Sequence, residues 1–279
     1  MKFDAHAAMA TLFCWLAGAA PSALAWGATG HSVVAEIAWR QLGTQTRRDI
    51  AALLGPGISL ASVSMWADTD AALNVRTRRW HFVNIPLGSV GYDSARDCQS
   101  VDGGPGCVVD AIARQRELLA DRTATMTDRA RALKYLVHLV ADAHQPLHCA
   151  ERNGDQGGGL LSVSFFGQPT TLHRVWDYEA LDKASYDWGW HIDHALAALT
   201  PEHAAKAAGD DVKQWVAQSH ALAAALAYRV PDDLNLDAVY QEAALSAIHR
   251  QLALAGARLA RMLRETMGRA SMPDRPGRR

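Results

Sequence analysis

The most chemically versatile stretch of the sequence is HLVADAHQPLH, at positions 138–148. His138 and Asp142 are four residues apart, so on a helix they share one face and can bind the same metal ion. Pro146 ends such a helix and turns the chain, which would direct His148 towards a different ion nearby. This stretch therefore predicts metal-dependent chemistry.

Further candidate ligands lie on both sides of this stretch. His173 and Asp177 repeat the four-residue spacing in LHRVWD, and the fragments WAD and WHF place Asp68 and His81 beside tryptophans. A single His/Asp pair is weak evidence, because most histidines on helices are packing or surface residues. Several such groups together predict a metal centre. Nitrogen and carboxylate ligands without thiolates favour zinc in a catalytic role.

Trp26 adds a candidate backbone ligand. Residues 1–25 contain an apolar, alanine-rich run and end in an Ala-x-Ala pattern, so we expect a signal peptide that is cleaved after Ala25. Trp26 would then carry a free α-amine, which can chelate a metal ion together with its own carbonyl oxygen, and His31 can complete the site. The alternative is an ordinary buried tryptophan.

The charge balance argues against nucleic-acid binding through a basic surface. The 279 residues include 28 Lys and Arg and 29 Asp and Glu, which gives a formal net charge of -1. A site for a polyanion would therefore take its positive charge from elsewhere, and bound metal ions can supply it. The apolar run is too short to span a bilayer, so we expect an exported product, either periplasmic or secreted.

The cysteines support this compartment. Cys98 and Cys107 enclose a loop rich in Gly and Pro, and we expect them to form a disulfide, with two free thiols as the alternative. Cys14 would leave with the signal peptide. Cys149 remains unpaired beside a candidate ligand, as a buried structural thiol or a site of oxidation.

The apolar spacing is helical almost throughout and predicts a single compact all-α domain with a small β-hairpin. Ile248, Leu252, Ala255, Leu259 and Leu263 form one stripe of a long helix, which we place at about 236–267. One strand is expected at 160–166. The other predicted helices lie at 32–42, at 46–54, at 108–119, from an N-cap at Thr127 to a break before Pro146, and at 178–198 with an interruption near Gly189.

In this order, the pieces WGATGH, WAD, WHF, the cysteine loop, HLVADAHQPLH, GDQGGG and LHRVWD resemble the zinc-dependent, single-strand-specific nucleases, which are related to the trizinc phospholipases C. The resemblance covers residues 26–267 and implies one nuclease domain of that helical fold. Residues 1–25 would be the signal peptide, and residues 268–279 a disordered tail. A monomer without an obligate protein partner is expected.

The resemblance also implies three zinc ions. Asp142 would bridge two of them, and Asp68 and Asp142 would act in catalysis through a hydroxide that bridges these two ions. With three aspartates among the ligands, the site would keep an excess of about three positive charges. The first ion would be held by Trp26, His31 and Asp142, the second by Asp68, His81, His138 and Asp142, and the third by His148, His173 and Asp177.

The implied activity is hydrolysis of single-stranded DNA and RNA to 5′-phosphate products, with 3′-nucleotidase activity on 3′-nucleotides. Phe82 matches the position where the family stacks a base, with core packing as the alternative. Asn84 and the loop of Gly157, Gly158 and Gly159 match its base pocket. Ala71 stands where the family has a basic residue, Asn84 where an acidic residue is common, and Gly159 and Thr171 where asparagine is frequent. Compensation for Ala71 could come from Arg76, Arg78 or Arg79, with merely solvated loop charges as the alternative.

Two other functions remain open. A phospholipase C would use the same ligands and would expose apolar residues at the mouth of its cleft, for which Phe82 and the segment 188–190 are candidates. A non-enzymatic zinc protein would close the coordination of its ions. His144 is a candidate for orienting a ligand, and the histidines at 191 and 194 are interpreted as surface or helix-cap residues.

Overall fold

The computed structural model describes residues 26–100, 102–202, 205 and 209–271. The expected signal peptide, which includes Cys14, lies outside the described residues. Of the expected tail, residues 268–271 are described and continue the last helix, and residues 272–279 lie outside the described part.

Helices dominate the fold, as the sequence predicts. The α-helices include α1 (Ala28–Arg40), α2 (Thr44–Leu54), α3 (Leu60–Val63), α4 (Trp66–Leu73), α5 (Ser94–Asp97), α6 (Val108–Ala120), α7 (Met126–Asp142), α8 (Leu172–Arg174), α9 (Ala180–Ala184), α10 (Trp188–Ala198), α11 (Val212–Leu222) and α12 (Ala238–Ser271). Two 3-10 helices cover Val75–His81 and Pro146–Cys149, and two π-helical segments cover Val175–Glu179 and Ala223–Ala227. Among the described residues, no helix is both long enough and apolar enough to cross a membrane.

The small sheet has one more strand than expected. Strand β1 (Ser162–Phe165) pairs with the antiparallel β2 (Gln168–Thr171) across a two-residue turn. Both turn residues have positive φ, which is typical of the tight hairpin turn. A third strand, β3 (Asn235–Leu236), pairs with β1 in parallel. The predicted hairpin is confirmed, and the sheet ties the chain before α12 to the loop before α8.

Helix α7 begins and ends earlier than the sequence suggested. Its N-cap is Thr125, whose side chain accepts a hydrogen bond from the backbone N–H of Asp128, so the expected cap at Thr127 is wrong. The helix ends at Asp142 because Pro146 has no N–H to donate to the Asp142 carbonyl. The N–H of Gln145 takes that acceptor instead at 3.0 Å. The chain therefore tightens directly after a candidate ligand.

The predicted core stripe of α12 is confirmed, since all five of its residues are fully buried. The helix packs closely against α1 at Gly256, where any Cβ would clash with the side chain of Ile37. Helix α1 starts at Ala28 rather than at residue 32, so His31 belongs to its first turns. This packing holds His31 against the centre of the bundle.

The break in the segment 178–198 lies at Ser185 and not at Gly189. Asp187 caps α10 by accepting a hydrogen bond from the N–H of Gly189, so this glycine belongs to the first turn. Helices α4 and α11 were not expected, because their short apolar patterns are weak in the sequence. Both matter for function, since α4 carries Asp68 and α11 leads into a surface cleft described below.

Three imidazoles meet where α10 packs on α12: His191, His194 and His249. The Nδ1 atom of His191 lies 3.0 Å from Nε2 of His249, and the rings of His194 and His249 are 5.6 Å apart. Burial, reinforced by the two other imidazoles, lowers the pKa of His249 to about 4. His249 is therefore neutral in the folded protein at neutral pH. His191 is fully buried, which corrects its interpretation as a surface residue.

We expect this group to weaken the fold in acid. Above pH 6.5, the ordinary pKa of histidine, His249 is neutral in both the folded and the unfolded states. Between pH 6.5 and about pH 4, the unfolded chain binds a proton at His249 that the folded chain does not bind. The free energy of unfolding therefore decreases as the pH is lowered through this range. The variant His249→Gln should show a smaller fall between about pH 7 and about pH 5 in urea unfolding.

The matched control is His194→Gln, which changes the exposed member of the same group. Burial is the largest cause of the low pKa of His249 and His194 only adds to it, so this variant should keep most of the wild-type pH dependence. An equal fall for His249→Gln and the wild type would contradict the assignment.

Candidate metal centre

The structure brings together all eight side chains that the sequence singled out as ligands. They come from α1, α4, the end of the first 3-10 helix, α7, the second 3-10 helix, and the turn from α8 into the π segment. Each is buried, with at most 8% of its surface exposed. Three groups of ligand atoms lie close enough to hold an ion: His31 with Asp68 and His138, His81 with His138 and Asp142, and His148 with His173 and Asp177.

Four donor atoms converge around the end of α7. The Nδ1 atom of His81 lies 3.0 Å from Oδ2 of Asp142 and 3.1 Å from Nε2 of His138. That Nε2 atom is 3.2 Å from Oδ2 of Asp142 and 3.2 Å from Oδ1 of Asp68, which in turn lies 3.6 Å from His81 Nδ1. Tetrahedral zinc sites with bonds of about 2.0–2.1 Å separate their ligand atoms by about 3.3 Å. The four atoms have the spacing of a zinc site.

Several other atoms of the ligand residues have no hydrogen-bond partner among the described residues. Both ring nitrogens of His31 are buried and unpaired, as are Oδ1 of Asp142, Oδ2 of Asp68 and Nε2 of His173. The Nε2 atom of His31 lies 3.5 Å from Oδ1 of Asp142. Buried polar atoms without partners are costly, and coordination of a cation would satisfy them. The donor set therefore fits metal ions.

Backbone carbonyls orient three of the imidazoles. Nδ1 of His138 lies 2.6 Å from the carbonyl oxygen of Ser64. Nδ1 of His148 lies 2.8 Å from the carbonyl oxygen of His81, and Nδ1 of His173 lies 2.8 Å from that of Gly157. A carbonyl accepts only from N–H, so each Nδ1 carries a proton and each Nε2 is the atom that can bind a metal.

The glycine loop positions His173. Gly157 has a φ of 63° and Gly158 a φ of 78°, and a Cβ on Gly157 would clash with the carbonyl of Leu147. Both glycine carbonyls accept from His173, one from its Nδ1 and the other from its backbone N–H at 3.3 Å. The loop thus has a structural reason for its glycines besides the expected contact with a base, which stays a prediction for residues 157–159.

The two buried carboxylates of Asp68 and Asp142 require positive charge nearby. Burial opposes ionisation of Asp142, but His138, His81 and His148 outweigh it and hold the pKa of Asp142 well below its usual range. Burial likewise disfavours the charged form of His138, yet Asp142 and Asp68 raise its pKa to about 10. Without another cation, the carboxylates thus retain a proton on an imidazole. A metal ion supplies the same charge and leaves the imidazole free to coordinate it.

The third group depends on a residue that the sequence reasoning missed. His148 and His173 present Nε2 at 3.7 Å and 3.2 Å from the two oxygens of Asp177. Buried Gln145 donates from Nε2 to Oδ1 of Asp177 at 2.6 Å, and its Oε1 accepts from the N–H of Leu147 at 2.5 Å. Gln145 therefore holds both Asp177 and the turn that leads to His148. Its place between two ligands in HLVADAHQPLH was the available signal.

His144 does not orient a ligand, contrary to expectation. Its Nδ1 contacts the carbonyl of Val140, and its Nε2 faces the buried guanidinium of Arg258 at 2.8 Å. Burial, followed by the charge of Arg258, keeps the pKa of His144 well below its usual value. The residue belongs to the packing between α7 and α12. Cys149 is likewise buried, and burial raises the pKa of its thiol, so it is an unreactive structural thiol.

Trp26 is tied to the same centre. Its indole N–H donates to the carbonyl of Ala141 at 3.0 Å, and the next residue, Gly27, donates its N–H to the carbonyl of Asp177 at 2.8 Å. Residues 26 and 27 therefore lie between the end of α7 and the third group of ligands. This placement supports a role for the Trp26 backbone at the centre.

The residues expected to bind substrate differ in their exposure. Phe82 is half-buried and Asn84 is exposed, whereas Gly157 and Gly158 are buried. The carbonyl of Phe82 accepts a hydrogen bond from the N–H of Val108, the residue after Cys107. The predicted disulfide between Cys98 and Cys107 is confirmed. Of the three candidate arginines, Arg78 reaches Ala71: its Nε donates to the Ala71 carbonyl at 3.3 Å.

Comparison with known proteins decides the family. The profile of the family described as S1/P1 Nuclease matches residues 26–268. The chain belongs to this family. Its members are nucleases, which hydrolyse phosphodiesters with the help of zinc, and the nuclease resemblance drawn from the sequence is confirmed. The chain is accordingly a phosphodiester hydrolase.

Individual relatives agree with the family assignment. The chain is 28% identical to Endonuclease 2 of Arabidopsis thaliana over 94% of its own length and 98% of that protein. It is 32% identical to Nuclease S1 of Aspergillus oryzae over 63% of its length and 62% of that protein. It is also 32% identical to Nuclease P1 of Penicillium citrinum over 54% and 57%, respectively.

We expect Gln145 to control zinc binding by the third group. Gln145→Met keeps the side-chain volume but removes both hydrogen bonds, so Asp177 loses its orientation and the group should bind zinc about 10–100-fold more weakly. After dialysis against a weak chelator, zinc measured by atomic absorption should fall by about one ion per chain.

The control is Gln241→Met, which removes a comparable buried hydrogen bond, from Gln241 Nε2 to the Ala180 carbonyl at 2.7 Å, outside the centre. Both variants should keep their helical circular dichroism. Equal zinc content in Gln145→Met and the control would show that Gln145 only supports packing.

Proposed function

We propose that this protein is a zinc-dependent nuclease that hydrolyses single-stranded DNA and RNA to 5′-phosphate products and removes phosphate from 3′-nucleotides. The observation that carries the proposal is the convergence of His81, His138, Asp68 and Asp142 at zinc-ligand spacing in a chain of the S1/P1 nuclease family.

Three zinc ions account for the ligand atoms best. Asp142 presents Oδ1 towards His31 and Oδ2 towards His81 and His138, so it would help to hold two of the ions. The Trp26 amine and carbonyl would complete the ion held by His31. The third ion would be held by His148, His173 and Asp177. Zinc in such sites supplies Lewis-acid stabilisation of the phosphate and an activated water for its hydrolysis.

The chain's own residues prepare this chemistry. The carbonyls that accept from His138, His148 and His173 fix the bare nitrogens in place before substrate arrives. Burial of Asp68 and Asp142 excludes bulk water, which strengthens every charge interaction within the centre. No side chain of the centre is suited to act as a nucleophile, and the proposed reaction needs none.

Single-strand preference would follow from stacking. Phe82 lies next to the ligand His81, so a base that stacks on its ring would bring the adjoining phosphate to the metal centre. Stacking requires an unpaired base and accepts any base. Arg78, held at the carbonyl of Ala71 one turn after Asp68, would supply the phosphate contact that the family usually obtains from position 71.

A phospholipase C remains a second candidate because apolar side chains are exposed at the end of α4. Leu73 is 86% exposed and Val75 is 65% exposed. Leu73 is the last residue of the helix that carries Asp68 and Val75 begins the next one, and a lipid surface could bind there.

The substrate is tested directly with the zinc-loaded protein that begins at Trp26. It should hydrolyse single-stranded DNA, RNA and a 3′-mononucleotide, leave duplex DNA largely intact, and lose more than about 100-fold in kcat/KM in Asp142→Asn. Products are identified by chromatography as 5′- or 3′-phosphates. Hydrolysis of phosphatidylcholine alone would overturn the nuclease proposal in favour of the lipase.

Export and cleavage of the signal peptide are part of the same proposal. We expect the chain to be cleaved after Ala25, to act as a monomer in the periplasm or medium, and to need the new amine of Trp26. A variant that retains one residue before Trp26 should bind about one zinc ion fewer per chain and lose most activity. A one-residue extension at the other end is the control. Full zinc content and activity in the first variant would refute the amine ligand.

A further inference from the structure

A polar cleft lies beside the metal centre and is not used by the chemistry proposed above. It has a volume of about 470 Å³. Three segments that are distant in sequence form its walls: Pro86 to Gly88, Glu151 to Asn153, and the end of the second π segment with Tyr228 and Arg229. Leu87, Ala224 and Arg229 also line an adjoining cleft of about 430 Å³ along α11, so the two form one trough.

The trough is joined to the metal centre by a short backbone ladder. The N–H of Val83 donates to the carbonyl of His148 at 2.8 Å, and the N–H of Leu87 donates to the carbonyl of Glu151 at 2.8 Å. Between them, the N–H of Glu151 donates to the carbonyl of Ile85 at 2.9 Å. The two chains that leave the ligands His81 and His148 therefore run side by side into the cleft walls.

Within the cleft, a guanidinium lies over an aromatic ring. Arg152 lies over Tyr228 at 4.9 Å from the ring centre, and the Tyr228 hydroxyl donates to Asp155 at 2.9 Å. The backbone N–H of Arg152 donates to the same carboxylate at 3.0 Å. The Arg152 side chain remains 37% exposed. Planar guanidinium groups held in this way form platforms on which nucleobases stack.

The charges of the lining suit a phosphate backbone only in part. Arg229 is exposed and forms no ion pair within 4.0 Å with any carboxylate among the described residues. Arg152 is paired with Asp155 at 4.0 Å, and Glu151 is the one carboxylate among the lining residues. The lining thus presents a positive charge at Arg229 and a negative charge at Glu151, and the opposite signs allow a test in two directions.

We propose that this trough binds a distant segment of the single strand whose scissile phosphate lies at the metal centre. The inference rests on the proposed nuclease function. From His148 to Arg152 and from His81 to Pro86, the chain covers at most about 13–17 Å at the extended rise of about 3.3 Å per residue. That upper limit equals about four to five nucleotides at the stacked rise of 3.4 Å. Long strands use the trough, and mononucleotides or dinucleotides do not reach it.

The experiment compares kcat/KM for a single-stranded oligonucleotide of about twelve nucleotides with kcat/KM for a dinucleotide and a 3′-mononucleotide. Arg229→Glu should lower the value for the long strand about fivefold or more and reduce its salt dependence, while both short substrates change less than about twofold. Glu151→Gln should raise the value for the long strand. Arg48→Glu, on the exposed side of α2, is the charge-matched control.

The outcomes separate this proposal from the proposed function. Activity on all three substrates, with Arg229→Glu equal to Arg48→Glu on the long strand, overturns the trough assignment and leaves the nuclease intact. Loss of the short substrates together with the long one in Arg229→Glu also overturns it, because the effect then lies in the metal centre. Absence of activity of the unmodified protein on every nucleic acid would contradict both the nuclease function and the role of the trough.

Discussion

Two carboxylates withdrawn from water, Asp68 and Asp142, impose the constraint on which the structure depends. Each is almost fully buried, and both face the same imidazole, His138. Burying negative charge is costly unless a cation or several donors accompany it. The helices around the centre supply imidazoles rather than Lys or Arg, which leaves lone pairs and a place for metal ions. The fold is a scaffold that makes this otherwise unfavourable concentration of charge stable.

The packing of the helices also positions the ligands of this centre. Gly256 lets α12 approach α1, which carries His31, and the missing N–H of Pro146 ends α7 at Asp142. Gln145 spans the resulting turn and fixes Asp177, while the Trp26 indole binds the residue before Asp142. Each of these contacts orders an element whose side chain points into the centre. Orientation of the ligands is therefore distributed over the whole domain.

The sequence allowed the ligands to be predicted because their spacing is local. His138 with Asp142 and His173 with Asp177 share helix faces, and the long apolar stripe of α12 identified the core. Local patterns could not show that Thr125 rather than Thr127 caps α7, since both are plausible capping residues. Nor could they show that His144 faces Arg258, more than a hundred residues away. The trough was also invisible, because its walls come from three distant segments.

The backbone ladder that joins the centre to the trough has a consequence for how such proteins diverge. Side chains alternate along paired extended chains, so one inserted residue between His81 and Leu87 would turn every following side chain to the opposite face. The insertion would also shift the hydrogen-bonded register between this segment and the segment that follows the candidate ligand His148. Relatives should therefore retain the length of these two segments and vary the residues that they display. Substrate range in this lineage is expected to change by substitution at fixed positions.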